Sequence, residues 1–384
     1  MTRRARVLLV GDILGSYRSQ LLLKTLLDNG HKVSLVGDRY FRLATDDSQT
    51  LFKSILVKLS LCFSVVLFTM ELFIKAPFAD VVYLLPMNHQ LFFFALVVKI
   101  LFRKRLISDL YISLYDTGRD RGLYPNNKSV RARIHQTIDR WIIEKTDVIV
   151  HQSLYELKYI ANLVNAKINP KKVMIFPLAV EPRSQASLAY RQQEELRICW
   201  WGTFIPLHGL DRIIQSMKIL RQNGERVRLD LFGVPNVESL EYQKLLSKDP
   251  LKEYVSLHFD KTFANGHLEE HLTTACDLAL GIFGGSSKAK NTLPNKIIDA
   301  FSMKLPVLTM SSSALSEFIS PETDIFTCEN SPTAIAEAIQ WIINNPKERL
   351  SRAESGFERY LSTFTVERYG RNITDLIASI SNSQ

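Results

Sequence analysis

The sequence predicts an α/β protein of two doubly wound, Rossmann-like domains facing across a cleft, with C-terminal helices crossing the domains. Three observations lead there. Short apolar runs alternate with longer amphipathic stretches, the pattern of a parallel sheet covered on both faces. The alternation loosens near the middle of the chain and then starts afresh. The 384 residues, at roughly 100–200 per domain, suit two domains.

In the first half, residues 6–10, 32–36, 80–84, 106–110, 147–151 and 172–176 read as strands. Residues 16–29 read as a helix carrying Leu22, Leu26 and Leu27 on one side, and 91–102, 130–145 and 154–165 are further helices. Pro177 and Pro182, followed by Ser, Gln and Glu, break the rhythm. The first domain is therefore 1–182 and the linker 183–196. In the second domain, 197–364, strands fall at 197–201, 226–232, 254–259, 278–282, 306–309 and 324–327. Helix 208–223 places Leu210, Ile213, Ile214, Met217 and Leu220 at helical spacing. Residues 346–381 read as helix, with 365–384 packing back on the first domain.

Hydrophobic residues are 46% and charged residues 23%, which fits a globular chain and excludes a disordered one. The net charge of +9 suits anionic partners. It forms no basic tail and no aromatic-basic motif, which sets nucleic acid aside. Cys62, Cys199, Cys276 and Cys328 form no CxxC pair and are expected to be reduced thiols. His258, His267 and His271 do not make a convincing metal set, so no metal is expected. The apolar run after the first residues is too short for a signal peptide, and a cytoplasmic place is expected. Residues 51–76 are very apolar, but Lys53, Lys58, Glu71 and Lys75 interrupt them. The longest charge-free stretch, 59–70, falls short of the ~18–20 residues of a spanning helix. A buried helix is expected, with a membrane-surface helix as the other reading.

Four segments carry chemistry. Trp201-Gly202-Thr203-Phe204-Ile205-Pro206-Leu207-His208-Gly209 ends a strand and opens a helix, where free N–H groups and the helix dipole favour phosphate. Gly281-Ile282-Phe283-Gly284-Gly285-Ser286-Ser287-Lys288-Ala289-Lys290 leads through Asn291 to Pro294-Asn295-Lys296 at a helix start, with Asp299 one turn further. Its lysines, Lys288, Lys290 and Lys296, can neutralise a diphosphate, and Asp299 can accept from ribose hydroxyls. The third segment, 108–122, holds Asp109, Tyr115, Asp116, Asp120, Arg119 and Arg121, suited to sugar hydroxyls or to polarising an attacking one. In the fourth, Gly11-Asp12-Ile13-Leu14-Gly15-Ser16 is no full GxGxxG; Gly15 and Ser16 open a helix close to the cleft. Each segment also has a plainer reading, as an ordinary strand–helix loop or a solvated charged surface.

Together these runs resemble the family-4 retaining glycosyltransferases of the two-Rossmann-domain GT-B fold, over nearly the whole chain. That family begins its donor domain with Gly-x-Phe-x-Pro-x-x-Gly, as residues 202–209 do here. Its ribose element matches Asp299-Ala300, followed by Pro306-Val307-Leu308-Thr309. Pro294-Asn295-Lys296 and Ser113-Leu114-Tyr115-Asp116-Thr117 look like a subgroup acting on surface polysaccharides. Thr203 and His208 stand where the family usually has Arg and Lys, and Asn291 replaces the first acid of its Glu-x7-Glu pair.

The resemblance implies transfer from a nucleoside-diphosphate sugar to a saccharide or lipid-linked acceptor, with retention and without metal or other cofactor. Gly202, Thr203, His208, Gly284, Lys288, Lys290, Asn295, Lys296 and Asp299 would bind the donor. Asp116, Asp109 and Lys288 are the catalytic candidates, and Gly15, Ser16, Tyr115 and Arg121 line the acceptor side. Helices 51–76 and 91–102 with Arg103-Lys104-Arg105 suggest peripheral contact with the inner face of a membrane. Two alternatives stay open: a non-catalytic nucleotide-sugar or partner-binding homologue, and a nucleotide-sugar epimerase.

Overall fold

The computed structural model describes residues 4–37, 51–126, 129–187 and 195–381, with backbone alone for 51–61 and 381. The chain divides into two units, Met1–Pro177 with Val366–Gln384, and Leu178–Thr365.

The first unit holds six parallel strands: β1 (Arg6–Val10), β2 (Lys32–Val36), β3 (Val81–Leu84), β4 (Arg105–Asp109), β5 (Val148–His151) and β6 (Val173–Ile175), in the order β2-β1-β3-β4-β5-β6. Strands β1, β3 and β4 are buried almost throughout, which is why they read as unbroken apolar runs. The helices are α1 (Tyr17–Asp28), α2 (Leu51–Lys75), α3 (Phe92–Leu101), α4 (Leu114–Asp120), α5 (Val130–Lys145) and α6 (Leu154–Val164). Serines start several of them: Ser16, Ser113, Ser129 and Ser153 each accept from a backbone N–H of the first turn, satisfying a donor that the helix itself leaves unpaired.

One charged pair is sealed inside this unit. Arg18 of α1 donates from Nε to Asp109 at 2.7 Å and from Nη1 to the Phe176 carbonyl at 2.9 Å. The pair is essentially without solvent exposure, and Tyr83 donates to the same carboxylate. Burial works against the guanidinium charge, but Asp109 outweighs it and raises the Arg18 pKa. Asp139 of α5 is a second buried acid. It accepts from Ser113 Oγ, Leu114 N and Tyr115 N at 2.6–3.2 Å, anchoring the start of α4.

The second unit has its own six-stranded parallel sheet: β7 (Leu196–Trp201), β8 (Val227–Phe232), β9 (Val255–His258), β10 (Leu278–Leu280), β11 (Val307–Met310) and β12 (Phe326–Cys328), in the order β12-β11-β10-β7-β8-β9. Alternation along β7 divides the core. Ile198 and Trp200 face one apolar cluster, with α7 (Leu210–Gln222) and α12 (Pro332–Asn344). Cys199 and Trp201 face the other, with α9 (His267–Ala275), α11 (Asn295–Ser302) and α13 (Pro346–Thr363). Helices α8 (Val237–Ser247) and α10 (Ser287–Asn291) complete the set. Strand order reverses between β7 and β10, so a ligand site is expected where their carboxyl ends open.

Two stretches differ in detail from the sequence reading. Residues 346–381 form two helices, not one. The chain breaks at Phe364, which is fully buried, and Thr365 pairs with Val180. Helix α13 packs on α11, whereas α14 (Val366–Ser381) packs on α1 of the first unit through buried Tyr369, Ile373 and Ile377. In the stretch read as a linker, Arg183, Ser184 and Ala186 are bonded to Glu269, Asp299 and Met303 of the second unit; residues 188–194 lie outside the described residues.

Removing one partner of a sealed pair leaves an unpaired buried charge, at a cost of roughly 3–5 kcal/mol. Arg18→Ala should therefore lower unfolding stability by that amount in urea titrations; a loss below about 1 kcal/mol contradicts the assignment. A pH effect follows from Asp139, whose pKa burial pushes up to about 6 against its three hydrogen bonds. The unfolded carboxyl titrates near pH ~4, so its contribution is full below that value and is lost as pH rises through about 6. Asp139→Asn should flatten the stability slope across that window.

Candidate functional site

At the switch point of the second unit, the turn after β7 and the loop after β10 touch through their backbones. A Cβ on Gly209 would stand 2.5 Å from the Phe283 carbonyl, and one on Gly284 would stand 2.2 Å from the Leu207 oxygen. Neither distance tolerates a side chain, and Gly209 also has a φ of +64°, which glycine adopts without strain. Phe283 N donates to the His208 carbonyl at 3.0 Å, and Arg212 donates to the Phe283 carbonyl at 2.6 Å. Two segments that the sequence separates by about seventy residues thus form one surface.

Lys296, in the first turn of α11, enters this surface from beneath. Its side chain is buried and its Nζ has no hydrogen-bond partner. Nζ lies 3.9 Å from the centre of the Trp200 ring. A Cβ on Gly202 would stand 3.2 Å from it and 3.4 Å from His208 Cε1. A desolvated cation–π contact contributes about 2 kcal/mol, whereas desolvating an ammonium costs several. The ring therefore does not compensate the charge, and burial pushes the Lys296 pKa well below its ordinary value, with Asp299 pulling the other way. An anion arriving at Gly202 would supply the missing partner.

His208 does not share that task. Its Nδ1 lies 2.6 Å from the Thr203 carbonyl, which only accepts, so Nδ1 carries the proton. Burial, then Lys296, push the ring's pKa down to about 2. His208 is neutral and offers a lone pair at Nε2. Thr203 is exposed. The turn itself thus brings no positive charge, and the cation comes from Lys296.

Asp299 lies one helical turn beyond Lys296 and is already engaged. Arg183 Nη2 donates to its Oδ1 at 3.0 Å and Nη1 donates to Glu269 at 3.2 Å, with the guanidinium carbon 3.8 Å from the Phe263 ring centre. Burial raises the Asp299 pKa, and Arg183 opposes it. Arg183, Phe263 and Glu269 went unrecognised in the sequence because no local motif carries them; Arg183 lies 116 positions from Asp299. Trp200, by contrast, was legible as part of its strand but not as the floor under a lysine.

The other lysines lie elsewhere on the same loop. Lys288 is half-buried and Lys290 exposed on α10, a short helix capped by Ser286. Lys290 lines a cavity of about 460 Å³ at the carboxyl ends of β11 and β12, with Ser311, Ser313, Ser316, Glu329 and Asn330. Asn330 Nδ2 donates to the Gly284 carbonyl at 3.0 Å, which joins the wall of this cavity to the loop that meets the turn at 202–209. Asn295 is exposed at the start of α11.

In the first unit, Asp116 is buried on α4 and accepts from Tyr159 at 2.8 Å. Tyr115 is buried and stacks on Tyr124, and Arg121 is exposed at the end of α4. Gly15 is exposed and Ser16 caps α1. Asp109 stands apart from these. It has no exposed surface and is the counter-charge of Arg18, because a buried guanidinium requires one.

Among the described residues, Cys199, Asp230 and His271 are a group whose ligand atoms all lie within 4.8 Å of one another. Asp230 is already shared by His258 at 3.0 Å and His271 at 3.1 Å, and Arg197 lies 3.8 Å away. Burial works against the Asp230 charge, but the two imidazole hydrogen bonds outweigh it and hold its pKa far below the usual range. The carboxylate is thus satisfied by protein partners. Two histidines that looked unrelated in sequence meet on one acid through the β8–β9 register and the covering helix α9.

Residues 195–345 match the family model described as glycosyl transferases group 1. This part of the chain is a group 1 glycosyltransferase domain. It contains the whole Gly202–His208–Lys296–Asp299 arrangement. Solved structures resemble the full chain. Sucrose-phosphate synthase from Thermosynechococcus elongatus is 14% identical with a TM-score of 0.73, covering 99% of this chain and 100% of that one. HepE of Anabaena, in complex with UDP and glucose, is 12% identical with a TM-score of 0.70, covering 98% and 100%. The lipopolysaccharide outer core galactosyltransferase WaaB, in its apo form, is 11% identical with a TM-score of 0.64, covering 97% and 99%. The fold is therefore that of the GT-B glycosyltransferases. No curated protein matches the chain in sequence.

The unpartnered ammonium makes opposite predictions for stability and binding. Lys296→Met keeps the volume but removes a buried charge, so the ligand-free glycosyltransferase domain should melt at a higher temperature than the parent. A charged hydrogen bond contributes about 1.5–3 kcal/mol, so the same change should weaken diphosphate binding roughly ten- to a hundred-fold. A variant that is destabilised and binds normally would show that Lys296 serves the core alone.

Proposed function

We propose that this protein transfers a sugar from a nucleoside-diphosphate sugar to a saccharide or lipid-linked saccharide acceptor, with retention, as a family-4 enzyme of cell-surface polysaccharide synthesis. The single observation that carries the reading is the buried, unpartnered Lys296 Nζ beside Gly202, inside a group 1 glycosyltransferase domain.

The chemistry follows from charge. Breaking the bond from sugar to diphosphate builds negative charge on the leaving group, and stabilising it is the main demand on the site. Lys296, in surroundings from which water is excluded, is more effective there than a solvated lysine. Lys288 and Lys290 add charge from the same loop. The leaving diphosphate can take the acceptor's proton, so no separate protein base is required and no metal is invoked. Asp299, held by Arg183, is assigned to a ribose hydroxyl. Asp116 and Tyr115 are assigned to acceptor contact. Peripheral contact with the inner face of a membrane belongs to the same proposal. HepE is held with UDP and with UDP-glucose in its structures, so uridine donors head the list to try.

The test is a thermal-shift panel of nucleoside-diphosphate sugars, followed by transfer assays with and without EDTA. A ligand at about 100 times its dissociation constant should stabilise the protein by about 2.7 kcal/mol. Asp299→Ala should weaken nucleotide binding roughly ten-fold, the loss of about one charged hydrogen bond. No shift with any donor overturns the reading. Binding without turnover would favour a non-catalytic homologue, and conversion of the donor without acceptor an epimerase.

A further inference from the structure

Helix α2 is apolar on two sides, and the first unit uses only one of them. Phe68, Leu72 and Ala76 are fully buried in the core. Half a turn away, Phe63, Val66, Met70 and Ile74, spaced three or four residues apart, point outward. With Phe78 just beyond the helix, they are 54–67% exposed. A helix that only covered a sheet would be polar on that outer side. Isolated exposed apolar residues need no explanation, but a continuous row does.

The row continues onto the neighbouring helix. Phe68 packs on Phe94 and Phe73 on Phe102, with ring centroids 5.3 and 5.7 Å apart, which sets α2 beside α3. Helix α3 buries Phe92, Ala95 and Val98 and exposes Val97, Ile100 and Leu101. Among the described residues, no helix is long and apolar enough to cross a membrane.

Charge selects the occupant of this face. Residues 62–105 contain five basic residues and two acidic ones. Both acids are engaged, Glu71 by Lys75 and Asp80 by Arg6. Arg103 and Arg105 are exposed at the end of α3. Lys104 Nζ donates to the Pro77 carbonyl at 2.8 Å, which fixes this basic turn next to exposed Phe78. Lys99 and Arg105 share Asp147, whereas Arg103 and Lys104 form no ion pair among the described residues, so cations outnumber acids along this border. An apolar face with such a border matches a surface with an apolar interior and an anionic rim.

We propose that the outer faces of α2 and α3, with Phe78 and the basic turn 103–105, form the seat on which the protein lies in the plane of an anionic bilayer. The apolar side chains enter the boundary between headgroups and acyl chains, while Arg103 and Arg105 meet lipid phosphates. The face deepens the transferase reading through its lipid-linked acceptor, but it is tested without donor or acceptor, so the two can fail separately.

The experiment is co-sedimentation of the full chain with phosphatidylglycerol vesicles and with phosphatidylcholine vesicles at low salt. Binding is expected to the anionic vesicles and to weaken as salt rises. Arg103→Ala with Arg105→Ala should reduce it about thirty-fold, from about 1 kcal/mol per basic residue near an anionic surface. Ile74→Glu with Ile100→Glu, both at exposed positions, should abolish it, with an unchanged melting temperature and an unchanged response to a donor or to diphosphate. Equal binding to both lipids, or none to either, overturns the proposal. So does a dimer in sedimentation equilibrium that the Ile74→Glu and Ile100→Glu changes dissociate, because a second copy would then be the occupant.

Discussion

The candidate site depends on one close backbone approach, that of the turn at 202–209 to the loop at 283–285. It is possible because Gly209 and Gly284 carry no side chain where each would collide with a facing carbonyl. Everything chemical nearby is placed relative to that contact. His208 is held by Thr203 and its own carbonyl receives Phe283 N. Helix α11 then starts where Lys296 can reach the underside of Gly202. Without the contact, the turn and the lysine would be two ordinary loops.

The lysine itself is a stored imbalance. A buried ammonium over an aromatic ring with no hydrogen-bond acceptor is less stable than a methionine of the same length would be. Such a group is retained where a ligand completes it, a common relation between stability and function. The first unit handles its charges differently. Arg18 and Asp109 face each other as counter-charges in the core, with Arg18 Nη2 and Asp109 Oδ1 left without a hydrogen bond, and that unit also leaves apolar side chains exposed on the outside of α2 and α3.

Much of this was legible from residue order. All twelve strands were placed within a residue or two, because buried parallel strands are short apolar runs bounded by glycine, aspartate or proline. Ser16 announced its helix, whereas the helix that Ser113 caps lies in a segment read as a binding loop. Lys296 and Asp299 were picked out because they follow a helix-opening proline. The hand-over near residue 365 was read as a domain boundary but not as a break in the helix, since the helical pattern runs through it and only the pairing of Thr365 with Val180 interrupts it. Nor was the role of Asp109. Its segment looks like a polar loop, and burial with Arg18 becomes visible only once α1 and β4 are packed together.

The sequence by itself determined the alternating elements, the glycines, and which residues could carry charge. These are local properties, set by side-chain periodicity and backbone freedom. Tertiary structure alone decided which charges remain uncompensated. Asp299 acquired Arg183 from 116 positions away, Asp230 acquired two histidines, and Lys296 acquired only a ring. The physical reason is that solvation and pairing are properties of a place in three dimensions. Identical lysines at 288, 290 and 296 become different chemical groups according to how much water and how many partners the fold leaves each of them.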